Sequence, residues 1–295
     1  MQKTITAIED KNIEAMMGGT GCPTVVILPG MSSSMYEWEL IYNQLFHLTT
    51  VVVVHRPGVG NSELGEESRT TYTTALDLKQ FLDIHRMAEP ILLIGHSYGG
   101  LCAQHFAKLF PNSVAGVMLV DSTSIHLQRL NQIPLSDDDD SDERWIKKCI
   151  YYSRMTPKQL AEEIKPQLES NQLTLSPSAQ RNMILCQTNP NLYKAMASEI
   201  NAWEKCALTI KQAGEFPAVP LVVIGRDPEY SVRHTEEMTK EDAIAIENMW
   251  QDLILEQVTL NGNGKYILAE NAGHSIHLDR PDIIVKAVKN LLINL

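Results

Sequence analysis

The residues best suited to covalent chemistry in this 295-residue chain lie in one run, Gly95-His96-Ser97-Tyr98-Gly99-Gly100, which fits G-x-S-x-G. The apolar run ILLI precedes it and a helical pattern follows it, so Ser97 is expected on a sharp strand-to-helix turn. Such a turn forces strained backbone angles on the serine, and Gly95 and Gly99 keep side chains out of the neighbouring strands. Ser97 Oγ is then a nucleophile held above a sheet, and the N–H of Tyr98, at the start of the helix, points where an oxyanion forms.

Other groups of reactive residues carry weaker signals. Five cysteines, Cys22, Cys102, Cys149, Cys186 and Cys206, contain no CxxC pair and read as small buried hydrophobes rather than a metal or disulfide framework. The run GVGNSEL lacks the lysine and third glycine of a phosphate loop. Asp137 to Asp140 form an acidic run without the glycine turn and closing glutamate of a calcium loop, and are expected to be solvated, with a gating role beside a pocket as a hypothesis. Neither a metal nor an organic cofactor is expected.

Taken with its flanking elements, the Ser97 motif resembles the α/β-hydrolase superfamily over nearly the whole chain apart from a helical insertion. That resemblance implies the chain order nucleophile, acid, histidine. It places the acid at Asp227, in Ile224-Gly-Arg-Asp-Pro just past the seventh strand, and the base at His274, in Ala272-Gly-His-Ser just past the eighth. Asp121 ends the sixth strand and is the alternative acid, since some members of the superfamily draw theirs from that position. His277 is expected to pack near the site and His96 to pack under the serine turn.

The same resemblance assigns the second oxyanion donor to the backbone N–H of Met31, with Ser32 next, in Leu28-Pro-Gly-Met-Ser-Ser-Ser. Pro29 stands where many members carry His, a modest departure because the donor is a backbone group. His55-Arg-Pro-Gly-Val-Gly-Asn-Ser resembles the superfamily's Asp-Arg-Pro-Gly-x-Gly-x-Ser loop beside the site, with His55 where Asp is common.

These residues need a sheet to position them, and the hydrophobic pattern supplies one. Residues 24–28, 50–54, 91–95, 114–120 and 219–225 are near-continuous apolar runs, as expected for parallel strands covered on both faces, and 265–269 is expected as the last strand. Residues 4–8 and 12–17 alternate and predict a hairpin at an antiparallel edge, giving about eight strands in an α/β sheet. Helical patterns cover 35–46, 70–87, 99–110, 240–253 and 281–293. Between Asp121 and Pro217 the pattern is helical and punctuated by proline, including a capped start at Thr156-Pro157. The expected organisation is a core of 1–124 and 216–295 with a helical cap of 125–215 inserted between the sixth and seventh strands.

Composition narrows the partners. Forty-four percent hydrophobic residues suit a globular core, and a net charge of −11 repels phosphate backbones and anionic lipid, so neither nucleic acid nor membrane is expected. The opening residues reach Glu9 and Asp10 before an apolar run can form, which argues against a secretory leader and, with the cysteine usage, for the cytoplasm. The expected function is a serine hydrolase acting through an acyl-enzyme on a small, mainly apolar ester or related acyl compound. The alternatives are C–C hydrolase, lyase or synthase use of the same residues, or a ligand receptor on this scaffold. Because the turn carries Ser and not Asp, the alkyl-enzyme route of epoxide hydrolases and haloalkane dehalogenases is disfavoured. Oligomeric state is not encoded in any motif.

Overall fold

The computed structural model describes residues 2–87, 90–136, 142–235 and 238–295. The four aspartates expected to form a solvated gate lie outside the described residues. Strands β1 (Gln2–Ile8) and β2 (Lys11–Gly18) form the expected hairpin, followed by β3 (Val25–Leu28), α1 (Glu39–Leu45), β4 (Val51–Val54) and α2 (Thr71–Ile84). Then come β5 (Ile91–His96), α3 (Tyr98–Leu109) and β6 (Val114–Val120). Helices α4 (Asp142–Tyr152), α5 (Pro157–Ile164), α6 (Pro177–Gln187), α7 (Pro190–Asn201) and α8 (Trp203–Gln212) separate β6 from β7 (Leu221–Arg226). The chain closes with α9 (Pro228–His234), α10 (Lys240–Val258), β8 (Lys265–Ala269), α11 (Ile276–Asp279) and α12 (Pro281–Asn294).

Among the described residues, eight strands make one sheet in the order β1-β2-β4-β3-β5-β6-β7-β8, antiparallel only at the β1-β2 and β2-β4 pairings. Every residue of β3, β4 and β5 is buried, because helices cover both faces and β-branched side chains fill both sides of the pleat. Alternation divides them: Val25, Ile27, Val51, Val53, Leu92 and Ile94 pack in one core with Trp38, Ile41 and Val288. Val26, Leu28, Val52, Val54, Leu93 and Leu119 pack in the other with Phe81, Leu101 and Phe106. The start of α5 is as the sequence predicts, with Thr156 Oγ accepting from Gln159 N at 3.3 Å and Pro157 in the first turn.

Register brings the loops together. Leu28 pairs with Gly95, His96 with Val120, Val120 with Ile224 and Arg226 with Ala269, all in parallel, so the chain leaves each of these strands at the same end of the sheet. Ligands of open α/β sheets gather at this carboxyl end, in crevices between loops.

Candidate active site

Ser97 precedes α3 with φ 51° and ψ −125°, the strained turn that the glycine spacing predicts. A Cβ on Gly95 would lie 2.6 Å from Gly100 Cα, and one on Gly99 would collide with the Leu28 carbonyl, so both positions exclude a side chain. A Cβ on Gly30 would lie 3.1 Å from Ser97 Cβ, which sets the loop after β3 directly against the serine. The Tyr98 N–H lies in the first turn of α3, where backbone donors have no partner within the helix. Met31 is half-buried at the cavity wall and Ser32, the next residue, is exposed with φ 58°.

Ser97 and His274 line one cavity of about 490 Å³ together with Gly30, Met31, Glu37, His96 and His277. Across it stand Ile164, Gln167, Glu169, Gln187, Leu192, Tyr193 and Met196 from the helical segment. The wall therefore mixes amide, carboxylate and aliphatic groups, and its lining residues include no Lys or Arg. A larger cavity of about 590 Å³ lies at the other end of β7, between Pro220, Tyr266 and Leu291, and contains none of the candidate residues.

Among the described residues, the expected acid Asp227 makes no hydrogen bond to His274. Asp227 caps α9: its Oδ1 accepts from Glu229 N at 3.0 Å and Tyr230 N at 3.1 Å, and its Oδ2 accepts from Asn271 N at 3.0 Å. Burial would raise its carboxyl, but these backbone donors lower it, those of Asn271, Tyr230 and Glu229 in that order. The reason is local: Asp followed by Pro at the first helical position is a helix start, and the side chain is consumed by it.

Asp121 takes the place beside His274. His274 Nδ1 lies 2.6 Å from Asp121 Oδ2, with the carboxylate wholly buried and the imidazole 41% exposed toward the cavity. Asp121 Oδ1 accepts from Trp250 Nε1 at 3.0 Å, and Oδ2 also faces Arg226 Nη1 at 3.2 Å. Burial would push the Asp121 carboxyl up; the Arg226 guanidinium, the His274 contact and the Trp250 N–H overcome it and hold the group well below the usual carboxylate range. Asp121 is thus an anion at neutral pH whose acceptors fix Nδ1 of His274 as the protonated nitrogen, leaving Nε2 as the basic one. Arg226 is itself gripped by Glu247 at 2.9 and 2.6 Å and lies over the Trp250 ring. Arg226, Trp250 and Glu247 were not legible as site residues, since they join Asp121 only through the pairing of β6 with β7 and the packing of α10.

His96 and His277 pack as expected. His96 Nε2 donates to the His274 carbonyl at 2.9 Å, and burial, then His277 and His274, push its imidazole well down, so it is neutral. His277 stacks on Trp38 at 4.7 Å and 6° and reaches Glu37 at 3.3 Å. Glu37 also accepts from Ser33 Oγ and closes a capping box on Ser34, a role no motif marked.

The loop after β4 braces the loop after β3. Met35 N–H donates to His55 Nε2 at 2.8 Å, so the proton of His55 sits on Nδ1 and donates to Glu14 at 2.8 Å. Ser34 Oγ lies 3.2 Å from the same Nε2, a second Ser-His-carboxylate grouping. Its histidine lone pair is already taken by a backbone N–H, so this grouping has no free base. Burial of His55 pushes its imidazole down, and Glu14, despite burial, is lowered to about 2 by His55 and Asn61. Among the described residues no group of three or more His, Cys, Asp or Glu is placed to hold a metal ion, and no helix is long and apolar enough to cross a membrane.

Comparison with known proteins agrees with this architecture. YbdG, an uncharacterized protein of Bacillus subtilis, is 24% identical over 120 residues, 40% of this chain and 37% of that protein. Esterase Rv0045c of Mycobacterium tuberculosis is 29% identical over 119 residues, 40% of this chain and 39% of that protein. The match thus spans less than two fifths of the length of these curated relatives. The fold of a thermophilic esterase from Thermogutta terrifontis superposes with a TM-score of 0.65 at 18% identity, covering 100% of this chain and 99% of that one. The pattern of the alpha/beta hydrolase family matches residues 25–287, from β3 to α12, and the chain belongs to that family.

Proposed function

We propose that the protein is a serine hydrolase that cleaves small, uncharged esters through an acyl-enzyme, with Ser97, His274 and Asp121 as its triad. The observation that carries the reading is the 2.6 Å contact of His274 Nδ1 with a buried, ionised Asp121, at a cavity that also takes in a serine on a strained elbow. His274 Nε2 takes the proton of Ser97 as its Oγ attacks the ester carbonyl carbon. The N–H groups of Met31 and Tyr98 hold the resulting oxyanion. Collapse expels the alcohol, which leaves with the proton from His274; a water molecule, deprotonated by the same nitrogen, then releases the acid.

Asp121 replaces Asp227 in the proposed acid role, and Asp227 becomes the residue that ties the His274 loop to α9 through Asn271 N. The helical segment 125–215 is proposed as a cap whose α7, through Leu192, Tyr193 and Met196, roofs the cavity. The mixed wall moves the proposed acyl group away from a purely apolar one. The lack of Lys or Arg among the lining residues leaves a carboxylate-bearing substrate without a counter-charge. An epoxide-opening alkyl-enzyme needs a carboxylate at position 97, where this chain has Ser.

A panel of p-nitrophenyl esters of increasing acyl length, run with wild type and Ser97→Ala, tests the reading. Turnover of short neutral esters that the variant abolishes is expected. Equal turnover by Ser97→Ala would overturn the assignment, and absence of turnover with Ser97 still reactive would move the reaction to C–C cleavage or lyase chemistry.

A further inference from the structure

Arg56 occupies a position that the ester-cleavage scheme does not yet use. It is buried below the loop that follows β3, and its Nη1 and Nη2 donate to the carbonyls of Pro29 and, at 3.0 Å, Gly30. Its guanidinium also lies over the Tyr98 ring, 5.1 Å from the centroid. One side chain therefore touches both segments that carry the proposed oxyanion donors. Two further donors go to a residue of the helical segment: Nε donates to Glu199 Oε1 at 2.9 Å and Nη2 lies 3.4 Å from Oε2, with both side chains under 5% exposed.

Glu199 belongs to α7, and α7 rests directly on the loop that carries Arg56. A Cβ on Gly58 would lie 2.7 Å from Ala195 Cβ, and Asn189 Nδ2 donates to the Gly60 carbonyl at 3.0 Å. The same helix presents Leu192, Tyr193 and Met196 to the cavity. A buried guanidinium without its carboxylate is strongly disfavoured, so Arg56 holds the Pro29 and Gly30 carbonyls in this geometry while Glu199 is beside it. Displacement of α7 would take the carboxylate away from this guanidinium.

We propose that Arg56 and Glu199 are positioning residues that set the oxyanion loop in its working shape only while α7 is seated, so that contacts between substrate and α7 are read out at the reacting carbonyl. The inference rests on the serine hydrolase reading above, in which Met31 and Tyr98 supply the oxyanion donors. Neither residue touches the substrate; both act through the backbone of 29–31. The consequence is that substrates long enough to reach Tyr193 and Met196 gain in kcat and not only in binding.

The test compares wild type, Glu199→Gln, Glu199→Asp and Arg56→Lys, with Leu160→Ala in α5 as a control that weakens the helical segment away from the pair. Four readouts are used: kcat and KM on a p-nitrophenyl ester, affinity for a trifluoromethyl ketone whose adduct oxygen needs the same N–H donors, hydrogen exchange of the 29–35 backbone, and thermal unfolding. For Glu199→Gln the expected result is kcat about tenfold or more lower with KM within about threefold, ketone affinity falling in parallel, and faster exchange at 29–35. Glu199→Asp should recover part of kcat, and Leu160→Ala should lose thermal stability while keeping it. Unchanged kcat and unchanged exchange in folded Glu199→Gln would overturn the proposal; if that variant does not fold, Arg56→Lys, which cannot reach both carbonyls and the carboxylate, is read in the same way. Should wild type turn over no ester and bind no ketone, the hydrolase reading falls, while exchange at 29–35 still decides whether the pair holds the loop.

Discussion

Asp121 and Asp227 show how two carboxylates with the same sequence context diverge. Each follows a buried strand of the same sheet end, and each is held below its ordinary pKa, yet by different donors: a guanidinium, an imidazole and an indole for Asp121, three backbone N–H groups for Asp227. Asp121→Asn is therefore expected to lower kcat by about 10³–10⁴-fold with little change in folding, because an amide there favours the wrong imidazole tautomer. Asp227→Ala is expected to keep turnover near wild type and to cost about 1–2 kcal/mol in thermal unfolding through loss of the helix cap. Parallel kinetics and calorimetry on the two variants check both statements. The choice between these acids was not legible from strand-end position alone. What decides it is the φ of 39° at Asp121 together with Arg226 and Trp250, which lie more than a hundred residues away in the chain. Asp followed by Pro is also a helix-start pattern, which the sequence reading of Asp227 as the acid passes over.

At the scale of elements, most of the architecture was legible, because parallel strands buried on both faces must be continuous apolar runs and the helices between them carry caps and prolines at their starts. The elbow was legible for the same kind of reason: close approach of α3 to β3 tolerates no Cβ at Gly99. Gly99→Ala is expected to destabilise the fold by about 1–3 kcal/mol and to depress turnover of the folded fraction, read by urea unfolding alongside activity. The bracing of the loop after β3 by β2 was not legible, since Glu14 lies in a strand and meets His55 only through the β2-β4 pairing. Because the folded pKa of Glu14 is depressed to about 2, its contribution to stability is fully present above its unfolded value and is lost as pH falls through that range. Urea midpoints measured between pH about 5 and about 2 should therefore fall less steeply for Glu14→Gln than for wild type; parallel slopes would remove Glu14 from the acid sensitivity of the fold.

For the whole molecule, the net charge of −11 sets a negative field, and the cavity gives it a second meaning. With Glu37 and Glu169 at its wall and no Lys or Arg lining it, the site adds a local negative field to the global one. A hemisuccinate ester is expected to be cleaved with kcat/KM about tenfold or more below that of its neutral methyl-capped counterpart, and added salt should narrow the gap. Equal rates at low ionic strength would place the acyl chain away from these carboxylates. Whether Ser97 is a nucleophile driven by His274 and Asp121 is decided by peptide mass spectrometry after exposure to a fluorophosphonate. A single adduct is expected on the peptide containing Ser97, formed orders of magnitude more slowly in Asp121→Asn and absent in Ser97→Ala. An adduct that persists in Ser97→Ala, or labelling as fast in Asp121→Asn as in wild type, would contradict this assignment.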